Sequence, residues 1–138
     1  MYNSMYQALR TALSQVDGLH NVELFNNQYE GTMKSEPSVF IEFDPLEIDP
    51  VVRMAGHTDI GIHLHVATKA YDEDNQNTVT DASVASHHSL AEDISDTVDG
   101  YYLPFEGGVT RPLELARWMP QYKYNGWIVT VIYLKTIG

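Results

Sequence analysis

Apolar residues recur at Tyr2, Met5, Tyr6, Leu9, Leu13 and Val16, the three- and four-residue spacing that lays them along one stripe of a helix. The spacing predicts a helix over about Ser4 to Val16, with Asn3 or Ser4 as its cap. Gly18 is placed to stop it, because glycine readily takes the left-handed conformation after a last turn. A short β-like piece, Val22 to Phe25, follows, and then a polar, turn-forming stretch from Asn26 to Pro37. Val39 to Phe43 reads as a strand with Val39, Ile41 and Phe43 on one face, closed off by Pro45 and Pro50. The clearest alternation puts Ile60, Ile62, Leu64 and Val66 on one face and Gly61, His63, His65 and Ala67 on the other, a half-buried strand.

The stretch from Tyr71 to Ser83 is polar and reads as a solvated acidic loop. Ser89 and Glu92 have the spacing of a capping box, and Leu90, Ile94 and Val98 form a stripe up to Gly100, which predicts a second helix over about Ser89 to Asp99. Glu106 to Val109 reads as a flexible connector. The C-terminal stretch has the pattern of a long hairpin, with arms from Leu113 to Tyr122 and from Trp127 to Ile137. Asn125-Gly126 between them suits a tight turn. Pro120 cannot donate to a ladder, so the first arm belongs at an edge or carries a bulge. The second arm is apolar on both faces and should be central, covered by helices or by a neighbouring subunit. Two helices and several strands in one run of 138 residues make a single α+β domain.

Composition changes the picture through charge. Eight Lys and Arg against 19 Asp and Glu leave a net charge of −11, which opposes attraction to phosphate backbones or anionic lipid. Absence of cysteine removes disulfides, thiolate zinc sites and thiol nucleophiles. The start lacks the basic and apolar run of a secretory signal, and no stretch reaches transmembrane length, so a soluble protein used without export and without a membrane partner is expected.

Candidate chemistry is sparse. His63 and His65 share a strand face, with His57 nearby, and neutral imidazoles at that spacing could ligate a transition metal. Nothing supplies further ligands, and polar strand residues on a non-core face show the same pattern. His87-His88 carries a weaker version of that signal. Asp72, Asp74 and Asp81 invite a calcium loop, but counting from Asp72 the sixth position is Asn77 and the twelfth Ser83, where glycine and glutamate are needed. No phosphate loop, nucleophile elbow or zinc-protease helix is present. No catalytic residue, cofactor or metal is therefore expected. Nine Tyr and two Trp point to surfaces instead, with Tyr101, Tyr102, Tyr122, Tyr124 and Trp127 at element ends, where they either contact a partner or cap the core's edge.

The element order, with the opening helix to Gly18, Val22-Glu23-Leu24-Phe25-Asn26-Asn27-Gln28-Tyr29, Pro37 to Phe43, Ile62 to Val66 and the Trp-containing hairpin, resembles the tail terminator (tail completion, head-tail joining) proteins of long-tailed bacteriophages. The resemblance covers nearly the whole chain and rests on elements and loose motifs. It implies a mostly antiparallel twisted sheet with two helices packed on one face. It implies a virion protein made in the host bacterial cytoplasm, a homo-oligomer of six copies in a ring that ends the tail tube and meets the head connector. DNA would pass through such a ring without specific binding. Two other classes stay open: a small acidic module or inhibitor acting on a basic partner, and a metal-dependent enzyme using His63 and His65.

Charge is unevenly divided along the chain. Between Ala70 and Thr110 there are nine acids, among them Glu92, Asp93 and Asp96, and no Lys or Arg; from Arg111 onward there are four bases, Arg111, Arg117, Lys123 and Lys135, and one acid. Unlike patches suit the heterologous contacts of a ring. The expected interface therefore takes Arg111, Arg117 and Lys123 with Tyr122, Tyr124 and Trp127 against Glu92, Asp93 and Asp96. Asp72, Glu73, Asp74 and Asp81 are expected to face the lumen. Pairing within one subunit, or plain solvation, would explain the same charges.

Overall fold

The structure is a computed structural model that describes residues 2–26, 28, 37–46, 58–70, 79–120 and 126–138. Its elements run α1 (Tyr2–Leu13), β1 (Asn21–Leu24), β2 (Ser38–Phe43), β3 (Asp59–Lys69), α2 (Asp81–Val98), β4 (Pro104–Phe105), β5 (Gly108–Val109), β6 (Glu114–Pro120) and β7 (Trp127–Ile137). Five strands form one sheet in the order β1-β2-β3-β7-β6, and β4 and β5 form a separate hairpin. All pairs are antiparallel except β1 with β2. This is the α+β sheet with two helices on one face that the pattern and the resemblance led us to expect.

The alternation in β3 decides the layering. Ile60, Ile62, Leu64 and Val66 turn toward the helices and are buried with Met5, Leu9 and Leu13 of α1 and Leu90, Ile94 and Val98 of α2. Full burial of each such side chain contributes about 1.5–3 kcal/mol. β7 is central, as its two-sided apolar sequence requires. Its second face joins Phe40 and Ala67 in a smaller cluster, where Val129 and Val131 are at most 2% exposed. On that face Val129 and Val131 are buried within the chain, Trp127 and Tyr133 are half-buried and Lys135 is exposed. Pro120 lies on the edge strand β6, which also carries a bulge between Leu115 and Arg117. Gly126 takes the positive φ expected at the hairpin turn, while Asn125 lies outside the described residues.

Several boundaries differ from the expected ones for identifiable reasons. α1 begins at Tyr2 and ends at Leu13, so Asn3 and Ser4 lie inside it instead of capping it. The Tyr2 hydroxyl anchors that early start by donating to the Asp44 carbonyl (3.1 Å) and accepting from the Leu46 amide (3.0 Å). α2 begins at Asp81, with the Thr80 hydroxyl accepting from the Ser83 amide at 3.1 Å. The Ser89 cap and a loop reaching Ser83 are thereby corrected, since over residues 82–89 Val84 is the one large apolar residue among Ser, Ala and His, which hides the helical period. Glu106-Gly107 is not a flexible connector: both residues have positive φ, 46° and 80°, and close β4 onto β5 in the backbone geometry of a primed hairpin turn.

His87 explains why the first half of α2 packs at all. It is fully buried, with Nδ1 2.8 Å from the Thr68 hydroxyl and Nε2 2.7 Å from the Thr130 hydroxyl, which ties α2 to β3 and β7. Desolvation, and secondarily His88, lowers its pKa from 6.5 to about 4. Above about pH 6.5 both folded and unfolded states hold it neutral and its contribution is complete. As the pH falls toward about 4, the unfolded chain gains a proton that the folded chain does not, so stability is lost, leveling off below that value. The loss expected from this group is about 3 kcal/mol. Equilibrium unfolding across that window should show a slope that His87→Leu removes, while at neutral pH the variant is about 1–3 kcal/mol less stable because both threonine hydroxyls lose their partner. An identical slope in the variant would assign the acid sensitivity elsewhere.

Candidate functional site

The face of the sheet turned away from the helices carries the histidines. His63 and His65 alternate with the core positions of β3, so both stand on this face, opposite Glu42 and Phe40 of β2 in register. Each imidazole reaches diagonally to a carboxylate: His63 Nε2 donates to Asp44 Oδ1 at 2.9 Å, and His65 Nε2 donates to Glu42 Oε1 at 2.8 Å. A carboxylate only accepts, so each Nε2 carries the hydrogen. The Tyr133 hydroxyl of β7 donates to the second Asp44 oxygen at 3.2 Å, and the Arg117 guanidinium of β6 lies 5.3 Å from the Tyr133 ring center. Phe25 stacks flat on His65 at 3.9 Å.

Gly61 makes this arrangement possible. A Cβ at that position would collide with the Asp44 carboxylate and lie 2.9 Å from the Tyr133 hydroxyl, so only glycine leaves the floor open for the two groups to meet. Burial lowers the His65 pKa even though Glu42 opposes the shift. Desolvation, then the neighboring Asp44 carboxylate, raises that of Tyr133. The strip is thus a cross-strand network of His–carboxylate pairs with the Nε2 hydrogens committed. No group of three His, Asp or Glu among the described residues is disposed to hold a metal ion.

The expected interface residues separate into three sets. Glu92, Asp93 and Asp96 are exposed on α2, and Arg111 and Arg117 are exposed on and before β6. Among the described residues none of these five takes part in an ion pair, so the acidic and basic groups do not neutralize one another inside the subunit. Trp127 instead packs against the second apolar cluster. Asp81 belongs to the first turn of α2, not to a loop, where its charge complements the helix dipole. Tyr122, Lys123, Tyr124, Asp72, Glu73 and Asp74 lie outside the described residues. Of the other aromatic positions, Tyr101 packs against the core while Tyr102 is 57% exposed.

Glu42, Asp44, Tyr133 and Gly61 were not singled out in the sequence. Their only signal is register, because Glu42 sits opposite His63, and Asp44 just beyond β2 hydrogen-bonds through its amide to the Gly61 carbonyl at 2.9 Å. Beside this network a cleft of about 820 Å³ opens at the end of the sheet, where Asp44, Asp59 and Glu114 face Arg111 and Lys135. No helix among the described residues is long and apolar enough to cross a membrane.

The histidine pairs are expected to be structural. Zinc or a chelator should leave the melting temperature unchanged in the parent and in the variant with His63→Gln and His65→Gln. A metal-dependent rise of several degrees in the parent, absent from the double variant, would show a metal site.

No protein-family model matches this chain, and no curated protein does. Among solved structures, a chain from the virion of native gene transfer agent (GTA) particle is similar in fold, with a TM-score of 0.57 over 99% of this chain and 92% of that chain, at 14% identity. The similarity therefore extends from end to end and is one of fold.

Proposed function

We propose that this chain is a non-enzymatic structural subunit of a bacteriophage-type virion, and that it forms the ring which terminates the tail tube and joins it to the head connector. The observation that carries this reading is the fold shared over 99% of the chain with a chain of a gene transfer agent virion. It agrees with the element order that resembles tail terminators. The geometry is consistent with it: the histidines are bound into a structural network, and among the described residues Glu92, Asp93 and Asp96 of α2 form no ion pair with Arg111 or Arg117. A net charge of −11 suits a wall that does not grip passing DNA. In this reading Asp72, Glu73 and Asp74 line or border the bore, and partners are further copies of the chain, the tail tube protein and the connector.

The test is made on particles. Peptides of this chain should be found in purified virions, and disrupting its gene should leave filled heads and unjoined tails. Normal, infectious particles lacking the chain would overturn the reading.

A further inference from the structure

Helix α2 is held at two places of unequal strength. From Leu90 onward, Leu90, Ala91, Ile94 and Val98 enter the core. Ser95 receives the Trp118 indole N–H at 3.0 Å, and the Asp99 carboxylate at the helix end accepts from the Leu115 amide at 3.3 Å. Residues 81–89 bury one side chain fully, His87, with Ser83, Val84 and His88 half-buried. Of these residues only Ala82 and Ala85 are strong helix formers. Docking of this half onto the sheet therefore rests chiefly on the two bonds of His87, to Thr68 of β3 and Thr130 of β7.

Those bonds do not themselves forbid a second proton on His87, because a threonine hydroxyl can accept from either ring nitrogen. What the site lacks is a counter-charge. The faces of β3 and β7 turned toward α2 carry Ile, Leu, Val and Thr, and no titratable group, over Ile60–Thr68 and Ile128–Thr136. On α2 itself the neighbor is His88, with ring centers 5.8 Å apart, whose charge opposes a proton on His87. Lys69 on β3, Asp17 after α1, and Asp81 and Asp93 on α2 are exposed. While docked, His87 is held by desolvation at a pKa of about 4, and undocking into water removes that penalty.

We propose that residues 81–89 of α2 form an acid-released segment, which protonation of His87 undocks from β3 and β7 while the sheet and the rest of α2 stay folded. The proton binds the open segment better than the docked one and so shifts the population toward it. Above about pH 6.5 His87 is neutral whether docked or free, and the segment stays closed; as the pH falls toward about 4, opening becomes progressively easier. Both bonds of His87 go to side-chain hydroxyls, so releasing them uncovers Thr68 and Thr130 without breaking the β3–β7 ladder. The switch belongs to the single subunit and needs neither a ring nor a partner.

Native-state hydrogen exchange of the whole chain at pH 7 and pH 5, corrected for the intrinsic rate, reads the opening of each half of α2. The amides of residues 85–89 should open more often than those of residues 94–98 at both values, with weak denaturant dependence. Their opening constant should rise about twentyfold between pH 7 and pH 5. His87→Gln, which cannot take the proton, should lose most of that rise. One common opening constant for both halves would make the acid response global and overturn the proposal. So would an opening of residues 85–89 that does not change with pH, or a rise that survives in His87→Gln. If His87→Gln does not fold, Thr68→Val keeps the imidazole and removes one partner; it should open residues 85–89 further at pH 7 and leave residues 94–98 in place, and equal loosening of both halves would overturn the proposal.

Discussion

The structure depends on one pairing, the antiparallel match of β3 with β7 over 11 residues of each. Register across that pair stacks Ile62 on Leu134 and Leu64 on Ile132 toward the helices, and His65 on Val131 and Ala67 on Val129 away from them. A slip of one residue would exchange the faces, sending leucines to the histidine side and histidines into the core. The apolar mass on the helical side is what holds the register. Both helices, the edge strands and the network around Asp44 take their positions from it.

Division of labor between the two faces follows. Toward the helices the sheet is almost wholly apolar, apart from polar groups with assigned partners, such as His87 between Thr68 and Thr130 and Ser95 receiving the Trp118 indole N–H at 3.0 Å. On the opposite face the apolar cluster around Phe40 gives way, along β2 and β3, to the histidine–carboxylate pairs. A buried polar group holds a fold together only when its bonds are made, and the bonds at Asp44 draw on β3 and β7 together. This network joins strands. Among the described residues the exposed charges of α2 and of the β6 side form no ion pairs with one another.

Legibility of the sequence tracked how far each side chain's role is set by its own neighbors in the chain. The β3 alternation and the two-sided apolar run of β7 announced a half-buried and a central strand, and Pro120 announced an edge or a bulge. Gly100 stopped α2 where expected. The start of α2 was hidden because its first two turns bury only His87, a residue that counts as polar until its partners are known. The Glu106-Gly107 turn was missed because a glutamate with positive φ is not foreseeable from composition. For the site, His63 and His65 were visible as a pair on one face. Asp44 and Tyr133, 89 positions apart, could be joined only by the fold, and the need for glycine at position 61 follows from their meeting.

Electron microscopy of the purified chain at high concentration tests the central claim most directly. The account predicts closed rings with a central opening, each built from identical copies of a 15.6 kDa subunit related by rotation in one direction around the ring. Particles no larger than one subunit, or two-fold dimers that grow no further, would contradict it.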